Sequence, residues 1–185
     1  MSSGLIVGMT GASGAVLGVR LLELLAEVDR EVHLVVTEGG ARVLAHETGR
    51  DVASLAPLVA RVHLNDDLFA PIASGSFPVQ AMVVVPCSMK SLAAIASGHA
   101  DSLLLRAADV CLKERRRLVL CTREAPLGLI HIENMRRATL AGAIIMPPVV
   151  TMYTNPARIE DVVDQIVGKI LDLIGIDHQV MRRWT

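Results

Sequence analysis

The sequence predicts an α/β protein in which helices cover both faces of a parallel sheet. Short runs of aliphatic residues recur along the chain, and they alternate with segments whose apolar residues have helical spacing. The aliphatic runs are continuously apolar, as expected for strands that are buried on both faces. Glycine, serine or proline follows several of these runs, at the point where a strand would give way to a helix.

The elements of the first half follow from this spacing. Leu5 to Met9 is the first strand, and residues 15–26 have the pattern of a helix. The second strand is Glu31 to Thr37, EVHLVVT, and a helix follows it through Glu47. Residues 49–78 are less regular, and the stretch NDDLFAPIASGSF within them is typical of a long functional loop.

The second half continues the alternation of strands and helices. Ala81 to Val85 is a third strand, and a helix follows it. Further helices are predicted over residues 106–117, 133–140 and 159–174, and further strands over residues 118–121 and 143–146. The order predicts a single domain, residues 1–185, built as a doubly wound, Rossmann-like (flavodoxin-like) parallel sheet.

Composition limits the class of partner. The formal net charge is −1, so no overall field would attract nucleic acid or an anionic membrane. Hydrophobic residues make up 52% of the chain and aromatic residues only 2%, which predicts apolar surface buried between copies of a homo-oligomer. The cysteines lack CxxC spacing and the histidines lack ligand spacing, so we expect a cytoplasmic setting and no metal. No apolar run is long enough for a membrane span, and the opening residues have the pattern of a strand rather than a signal peptide.

The loop that follows the first strand has the composition of an anion site. In doubly wound sheets, ligands bind outside the carboxyl ends of the strands. Thr10 to Gly14 would bring small residues and a helix N-terminus to that edge, and the Ser13 hydroxyl would cap the helix or bind a ligand. The glycine spacing matches neither the dinucleotide motif nor a Walker loop. A tight turn that needs small residues is the alternative.

Two further loops at the same edge each allow two interpretations. Residues 88–91 place two hydroxyls and a cation at a helix start, which predicts a second anion pocket or an ordinary N-cap serine beside a solvated lysine. Thr37 ends the second strand and Glu38 follows it. An acid there would suit the ribose of a nicotinamide cofactor in a dehydrogenase, or it would simply favour the start of a helix.

Several charged or polar residues stand apart from these loops. Arg106 and Lys113 are seven residues apart and would share one helical face. Glu124 follows Arg123 directly after a strand, so it would stay ionised yet be available for proton transfer. Tyr153 follows the last strand, and Lys169 flanks the apolar face of the last helix. Each of them, taken singly, is more often structural than functional.

The chain resembles the UbiX-type flavin prenyltransferases, which are homologous to flavin-containing cysteine decarboxylases. The similarity runs over nearly the whole chain, and its distinctive stretches are TGASG, APIASGSF, PCSMKSLAAIASG, RAADVCLKERRRLVL, REAPL and GAIIMPP. The resemblance implies transfer of a dimethylallyl group from dimethylallyl monophosphate to N5 and C6 of reduced FMN, without metal. It also implies a dodecamer built from trimers, and a product that serves UbiD-type decarboxylases in ubiquinone synthesis and aromatic acid metabolism.

The resemblance also implies a role for each motif residue. The residues implied to bind FMN are Gly11, Ala12, Ser13, Thr37, Ser88, Met89, Lys90, Ser91 and Arg123. The residues implied to bind the prenyl phosphate are Tyr153, Lys169, Arg106 and Lys113, the last two from the same or a neighbouring subunit. Glu124 would transfer protons as the ring closes, Lys113 would assist catalysis, and Glu47 would be a second acid.

The chain departs from the family pattern at two places. Lys169 stands where some members have Arg, which keeps the charge but replaces a bidentate contact by a point charge. Leu68 and Phe69 stand where some members have a Trp that would line the allyl site. Two other functions share the flavin loops: oxidative decarboxylation of a cysteine-bearing substrate, and non-catalytic carriage of FMN.

Overall fold

The computed structural model describes residues 4–28 and 30–184. The strands are β1 (Gly4–Met9), β2 (Val32–Val36), β3 (Arg61–His63), β4 (Val79–Cys87), β5 (Arg117–Thr122) and β6 (Ile144–Ile145). They pair in parallel as one sheet with the order β3-β2-β1-β4-β5-β6. The chain thus builds outward from β1 to one edge and then returns to β4 and builds to the other, which confirms the doubly wound prediction.

Helices cover both faces of this sheet. They are α1 (Ala15–Leu25), α2 (Glu38–Thr48), α3 (Met89–Ser97), α4 (Leu103–Lys113), α5 (Leu129–Ala141) and α6 (Ile159–Ile174). Alternate residues of β1 face opposite layers: Leu5 and Val7 pack with α1 and α6, whereas Ile6 packs with α3 and α4. No helix of residues 4–28 and 30–184 has both the length and the apolar character to cross a membrane.

Several elements differ in extent from the sequence prediction: α5 begins at Leu129 and not at residue 133, and β4 spans Val79–Cys87 and not residues 81–85. Two further differences have a clear local cause. The irregular segment 49–78 contains the short strand β3, which is half polar and therefore lacks an apolar run. The helix predicted over 106–117 instead spans Leu103–Lys113, because Arg115 adopts a left-handed conformation (φ 57°) and ends it. Arg117 then pairs with Ala81 as the first residue of β5.

A pair of buried histidines joins β2 and β3. His33 Nδ1 and His63 Nε2 are 2.9 Å apart, and the exposed fractions of the two residues are 3% and 5%. One nitrogen of the pair must carry the proton that the other accepts, so double protonation would break the contact. Burial lowers the pKa of His33 more than the nearby Glu31 raises it. The pKa of His63 is also lowered, first by burial and then by the neighbouring His33 and Arg61.

We expect the folded state to lose stability as the pH falls below about 6.5, the ordinary pKa of histidine. Because both folded-state pKa values are lowered, the unfolded chain binds protons first. The stabilisation is therefore complete above the unfolded pKa and is lost as the pH falls through the folded values. The melting temperature measured at about pH 5.5 should be lower than that at about pH 7.5 by about 2 °C or more.

The matched variants separate this pair from other acid effects. In His63→Gln the side-chain amide can still donate to His33, yet one titrating group is gone, so the acid-induced loss should be smaller. His46 is exposed, and His46→Gln should leave the loss unchanged. An unchanged loss in His63→Gln would remove the pair as its source.

Candidate active site

Thr10 joins the loops that follow β1 and β4. Its side chain is buried, and its hydroxyl donates a hydrogen bond to the carbonyl of Pro86 at 2.8 Å. The same oxygen accepts a hydrogen bond from the backbone N–H of Ser88, also at 2.8 Å. β1 and β4 are neighbours at the switch point of the sheet. The two hydrogen bonds of the Thr10 hydroxyl therefore join the two loops into one continuous surface.

Glu47 of α2 holds the loop after β1. Its carboxylate accepts hydrogen bonds from the backbone N–H groups of Gly14 at 2.9 Å and Ala15 at 2.8 Å. Two N–H groups at the start of α1, the helix N-terminus predicted to bind an anion, are therefore bonded to an acid of the same chain. This carboxylate, rather than Ser13, caps α1, since the N-cap position is Gly14.

Contacts of the Glu47 carboxyl keep it ionised. Displacement of water by neighbouring atoms would by itself raise its pKa. Hydrogen bonds from the Ser13 side chain and the backbone of Ala15 and Gly14, together with the charge of Arg123, outweigh that effect and lower the pKa below its ordinary value. An ionised Glu47 thus links the first loop to Arg123, which follows β5.

The loop after β2 is closely packed on the first loop. Thr37 caps α2, because its hydroxyl accepts a hydrogen bond from the N–H of Gly40 at 3.0 Å. A Cβ atom on Gly11 would lie 3.2 Å from the Cα of Gly39, so the two glycines let these backbones pass. Glu38 is exposed and pairs with Arg42 one turn along. These contacts favour the start of a helix over an acid that binds a ribose.

The loop after β4 begins α3 with an ordinary N-cap. The Ser88 hydroxyl accepts from the N–H of Ser91 at 3.2 Å and donates to its hydroxyl at 3.1 Å. The N–H groups of Met89 and Lys90, in the first turn, have no acceptor within the helix. With the exposed cation of Lys90, they give this point of the sheet edge a partial positive charge. The capping and the anion-binding interpretations are therefore compatible.

Arg123 and Glu124 complete this edge. The backbone N–H of Arg123 donates to the carbonyl of Cys87 at 3.1 Å, which fixes the loop after β5 beside the loop after β4. Both side chains are exposed, and the Glu124 carboxylate accepts a bond from the N–H of Ala125 at 3.0 Å. The structure thus brings the loops with residues 11–13, 37, 88–91 and 123–124 to the carboxyl ends of four adjacent strands.

Tyr153 and Lys169 line a separate cavity of about 570 Å³ against α6. Its other walls include Met146 and Pro147, which follow β6, and Trp184 near the end of the chain. The rings of Tyr153 and Trp184 meet edge to face, with centroids 5.2 Å apart. A phenol and an ammonium group in one concave space can bind an anion that carries a small apolar group.

Arg106 and Lys113 lie elsewhere in the chain. Arg106 donates from Nε to the carbonyl of Ala73 at 3.1 Å, and Lys113 lies beside Gly75 and pairs with Glu114. Both therefore contact the APIASGSF loop, which confirms that they share a face of α4. That helix covers the opposite face of the sheet from α6. Within one chain, the structure does not bring them to Tyr153 and Lys169.

Sequence reasoning missed three contributors to this region. Thr10 entered the prediction only as the first residue of the glycine-rich loop after the first strand, although a buried threonine at a strand end can signal a bond between loops. Gln165 lies inside the apolar stripe of α6, where a polar residue is itself a signal. Trp184 carries no local signal at all. Within residues 4–28 and 30–184, no group of three or more His, Cys, Asp or Glu residues is placed to hold a metal ion.

Comparison with known proteins agrees with this architecture. A model of the family described as Flavoprotein matches residues 2–171. The flavin prenyltransferase UbiX of Salmonella typhimurium is 46% identical over 183 residues, which cover 97% of each chain. A crystal structure of a UbiX protein in complex with FMN and dimethylallyl pyrophosphate superposes with a TM-score of 0.98 at 46% identity, covering 100% of this chain and 98% of that one.

A second solved structure is a dodecameric FMN-dependent UbiX-like decarboxylase from Escherichia coli O157:H7. It superposes with a TM-score of 0.96 at 45% identity and covers 98% of this chain and 99% of that one. Similarity of this extent reaches every strand and helix described above. The chain therefore belongs to the Flavoprotein family, among its UbiX-type flavin prenyltransferases.

Proposed function

We propose that this protein transfers a dimethylallyl group from dimethylallyl monophosphate to N5 and C6 of reduced FMN. The observation that carries the proposal is the cavity of Tyr153 and Lys169, which is built in addition to the loops at the sheet edge. A protein that only carries FMN needs the edge loops, whereas a prenyltransferase needs a second site for an anion.

The edge loops suit a flavin that is bound through its phosphate. The backbone of the first loop can approach a ligand at the switch point closely, because Gly11, Ala12 and Ser13 have small side chains or none. Thr37 and the segment 88–91 line the same edge, the latter with first-turn N–H groups suited to a phosphate. Arg123 supplies a further cation. Reduced FMN supplies the ring positions that accept the prenyl group.

The cavity suits the departing phosphate of the donor. Phosphate leaves slowly unless its developing charge meets cations and hydrogen-bond donors. Lys169 supplies a cation, and the phenol of Tyr153 supplies a hydrogen-bond donor. Met146 and Pro147 give the cavity apolar walls, which keep water from a reactive allylic group.

Arg106 and Lys113 act in this proposal on a neighbouring copy of the chain. Lys113 ends α4 four residues before β5 begins at Arg117, so it lies near the amino ends of the strands, away from its own edge loops. A neighbouring copy would therefore supply these cations to the phosphate. The proposed assembly is a homo-oligomer, a dodecamer like the UbiX-like decarboxylase of Escherichia coli.

The surface of α5 supports assembly. This helix buries Ala138, but four large apolar residues on it are exposed by about half or more of their surface: Leu129, Ile130, Ile132 and Leu140. Exposed apolar residues on one helix favour burial of that helix between copies of the chain. We further propose that the protein works in the cytoplasm and delivers its product to a UbiD-type decarboxylase.

Glu124 is the proposed proton-transfer group, because it is exposed at the edge and bonded only to a neighbouring backbone N–H in the contacts described above. Glu47 stays a prediction as a second acid. Its contacts with Ser13, Gly14 and Ala15 favour a carboxylate that remains ionised and holds the loop.

Mass spectrometry of the flavin tests the proposed function. The protein is incubated anaerobically with reduced FMN and dimethylallyl monophosphate in the presence of a chelator, with the diphosphate ester as a second arm. We expect the flavin to gain the mass of one five-carbon prenyl group. A flavin mass that stays unchanged with both esters would overturn the proposal. FMN binding without turnover would favour a non-catalytic FMN carrier. Loss of carbon dioxide from a peptide with a C-terminal cysteine would favour the decarboxylase.

Lys169→Ala should raise the concentration of prenyl phosphate needed for half-maximal rate by about 10- to 100-fold. A hydrogen bond to a charged group contributes about 1.5–3 kcal/mol, and this substitution removes one. The matched variant Lys169→Arg keeps the charge and should stay within about threefold of wild type. Steady-state kinetics with varied prenyl phosphate measures both. An unchanged KM in Lys169→Ala would place the phosphate outside this cavity.

A further inference from the structure

Gln165 is a buried polar residue of α6 without a part in the mechanism above. Its exposed fraction is 8%, and it lies one turn before Lys169. The amide nitrogen donates to the hydroxyl oxygen of Tyr153 at 3.2 Å and to the backbone carbonyl of Arg182 at 3.3 Å, and it lies 3.9 Å from the sulfur of Met181. The residue thus contacts both the phenol and the segment near the end of the chain.

The carbonyl of Arg182 determines which way the amide points. A backbone carbonyl only accepts hydrogen bonds, so the group of Gln165 that faces it must be the NH₂. The same NH₂ faces the phenol of Tyr153, whose oxygen must therefore accept. A phenol that accepts from one side has its own proton free to donate in another direction. Tyr153 and Gln165 both line the cavity that holds Lys169.

Further contacts fix the position of Arg182. Asp172 of α6 accepts from Arg183 at 2.9 and 3.1 Å and contacts the ring of His178 at 3.1 Å. The hydrogen bond from Arg183 is the largest cause that lowers the pKa of Asp172, and His178 adds to it. Arg182 also donates to the carbonyl of Thr154, next to Tyr153. The acceptor that orients Gln165 is therefore held on both sides.

We propose that Gln165 is a positioning residue that directs the phenolic proton of Tyr153 towards the phosphate of the prenyl donor. The proposal rests on the proposed function, because it assigns a direction to a donor of that site. Gln165 does not touch the phosphate, and its whole effect passes through Tyr153. Replacement of the NH₂ by an acceptor would turn the phenolic proton away from the ligand.

A double-mutant cycle tests this coupling. Gln165→Glu, which replaces the NH₂ donor by an acceptor, should raise the KM for dimethylallyl monophosphate by about 10-fold, and Gln165→Met, which has no donor, by about threefold or more. In the Tyr153→Phe background neither substitution should change KM by more than about twofold. FMN affinity, measured by fluorescence quenching, should stay within about twofold in all variants. Gln179 is exposed, and Gln179→Glu is the control for the same change of charge.

The outcomes distinguish this inference from the proposed function. If Tyr153→Phe raises KM but Gln165→Glu and Gln165→Met do not, Gln165 does not orient the phenol. Equal losses in the presence and absence of the phenol would also overturn the inference, since they show a general structural role. If Tyr153→Phe itself leaves KM unchanged, the phosphate site is wrong and the inference falls with it. Should Gln165→Glu fail to fold, Gln165→Met alone completes the cycle.

Discussion

Glu124→Gln is expected to slow prenyl transfer by about 10²- to 10⁴-fold, the usual contribution of a general acid or base. The amide has nearly the size of the carboxylate, so it can still accept the N–H bond of Ala125 and keep the loop in place. It cannot take up or release the proton that moves as the new flavin ring closes. FMN affinity should stay within about twofold, because the amide keeps the bond from Ala125, which is the contact described for this carboxylate within the edge loops.

Single-turnover kinetics under anaerobic conditions measures this effect, since product release is then excluded from the rate. The flavin absorbance gives the rate, and quenching of FMN fluorescence gives the affinity. Glu27 is exposed at the far end of α1 from the edge loops, so Glu27→Gln is the matched control and should react at the wild-type rate. A wild-type rate in Glu124→Gln would remove this residue from the mechanism.

Gly40→Ala is expected to weaken FMN binding by at least about 10-fold and to destabilise the fold. The new Cβ would lie 2.5 Å from the carbonyl oxygen of Met9 and 2.9 Å from its carbon, and a backbone atom at the end of β1 cannot move aside as a flexible side chain does. The start of α2 must shift instead. That shift would disturb the hydrogen bond by which Thr37 caps α2. It would also disturb the hydrogen bonds that the Glu47 carboxylate accepts at the end of the first loop.

Overpacking of this kind costs about 1–3 kcal/mol, so the melting temperature should fall by several degrees. Gly39→Ala is a graded control on the same helix: its Cβ would meet the Cα of Gly11 at 3.3 Å, which a small adjustment can relieve. We expect its loss of FMN affinity to be smaller than that of Gly40→Ala. Fluorescence titration and thermal unfolding compare the two variants, and equal, negligible losses would show that the first two loops need not be closely packed.

Elements with a strong local pattern could be predicted from the sequence. Residues 159–174 match α6 at both ends, because its apolar face persists over four turns. The strand β3 was missed because Arg61 and His63 are polar, and its pairing with β2 is determined by tertiary contacts. Helix α4 was placed three residues late because its first turn lacks an acidic residue that would mark it.

The candidate site was predictable in its loops but not in its internal contacts. Strand ends are visible in the sequence, so Thr37, Ser88 and Arg123 could be assigned to one edge of the sheet. Glu47 is 33 residues from Gly14, and no local pattern shows that its carboxylate caps α1. The position of Lys113 relative to Tyr153 is likewise a property of the packed layers. Long-range contacts of this kind are determined by the fold as a whole.

The hydroxyl of Thr10 has a thermodynamic consequence for ligand capture. It ties the loops after β1 and β4 together through bonds within the protein itself, at 2.8 Å on either side. The entropy of ordering these loops is thus lost during folding rather than on binding. More of the contact energy with a flavin then remains as affinity, and the rigid pocket holds the reacting ring in one orientation for the whole of the turnover.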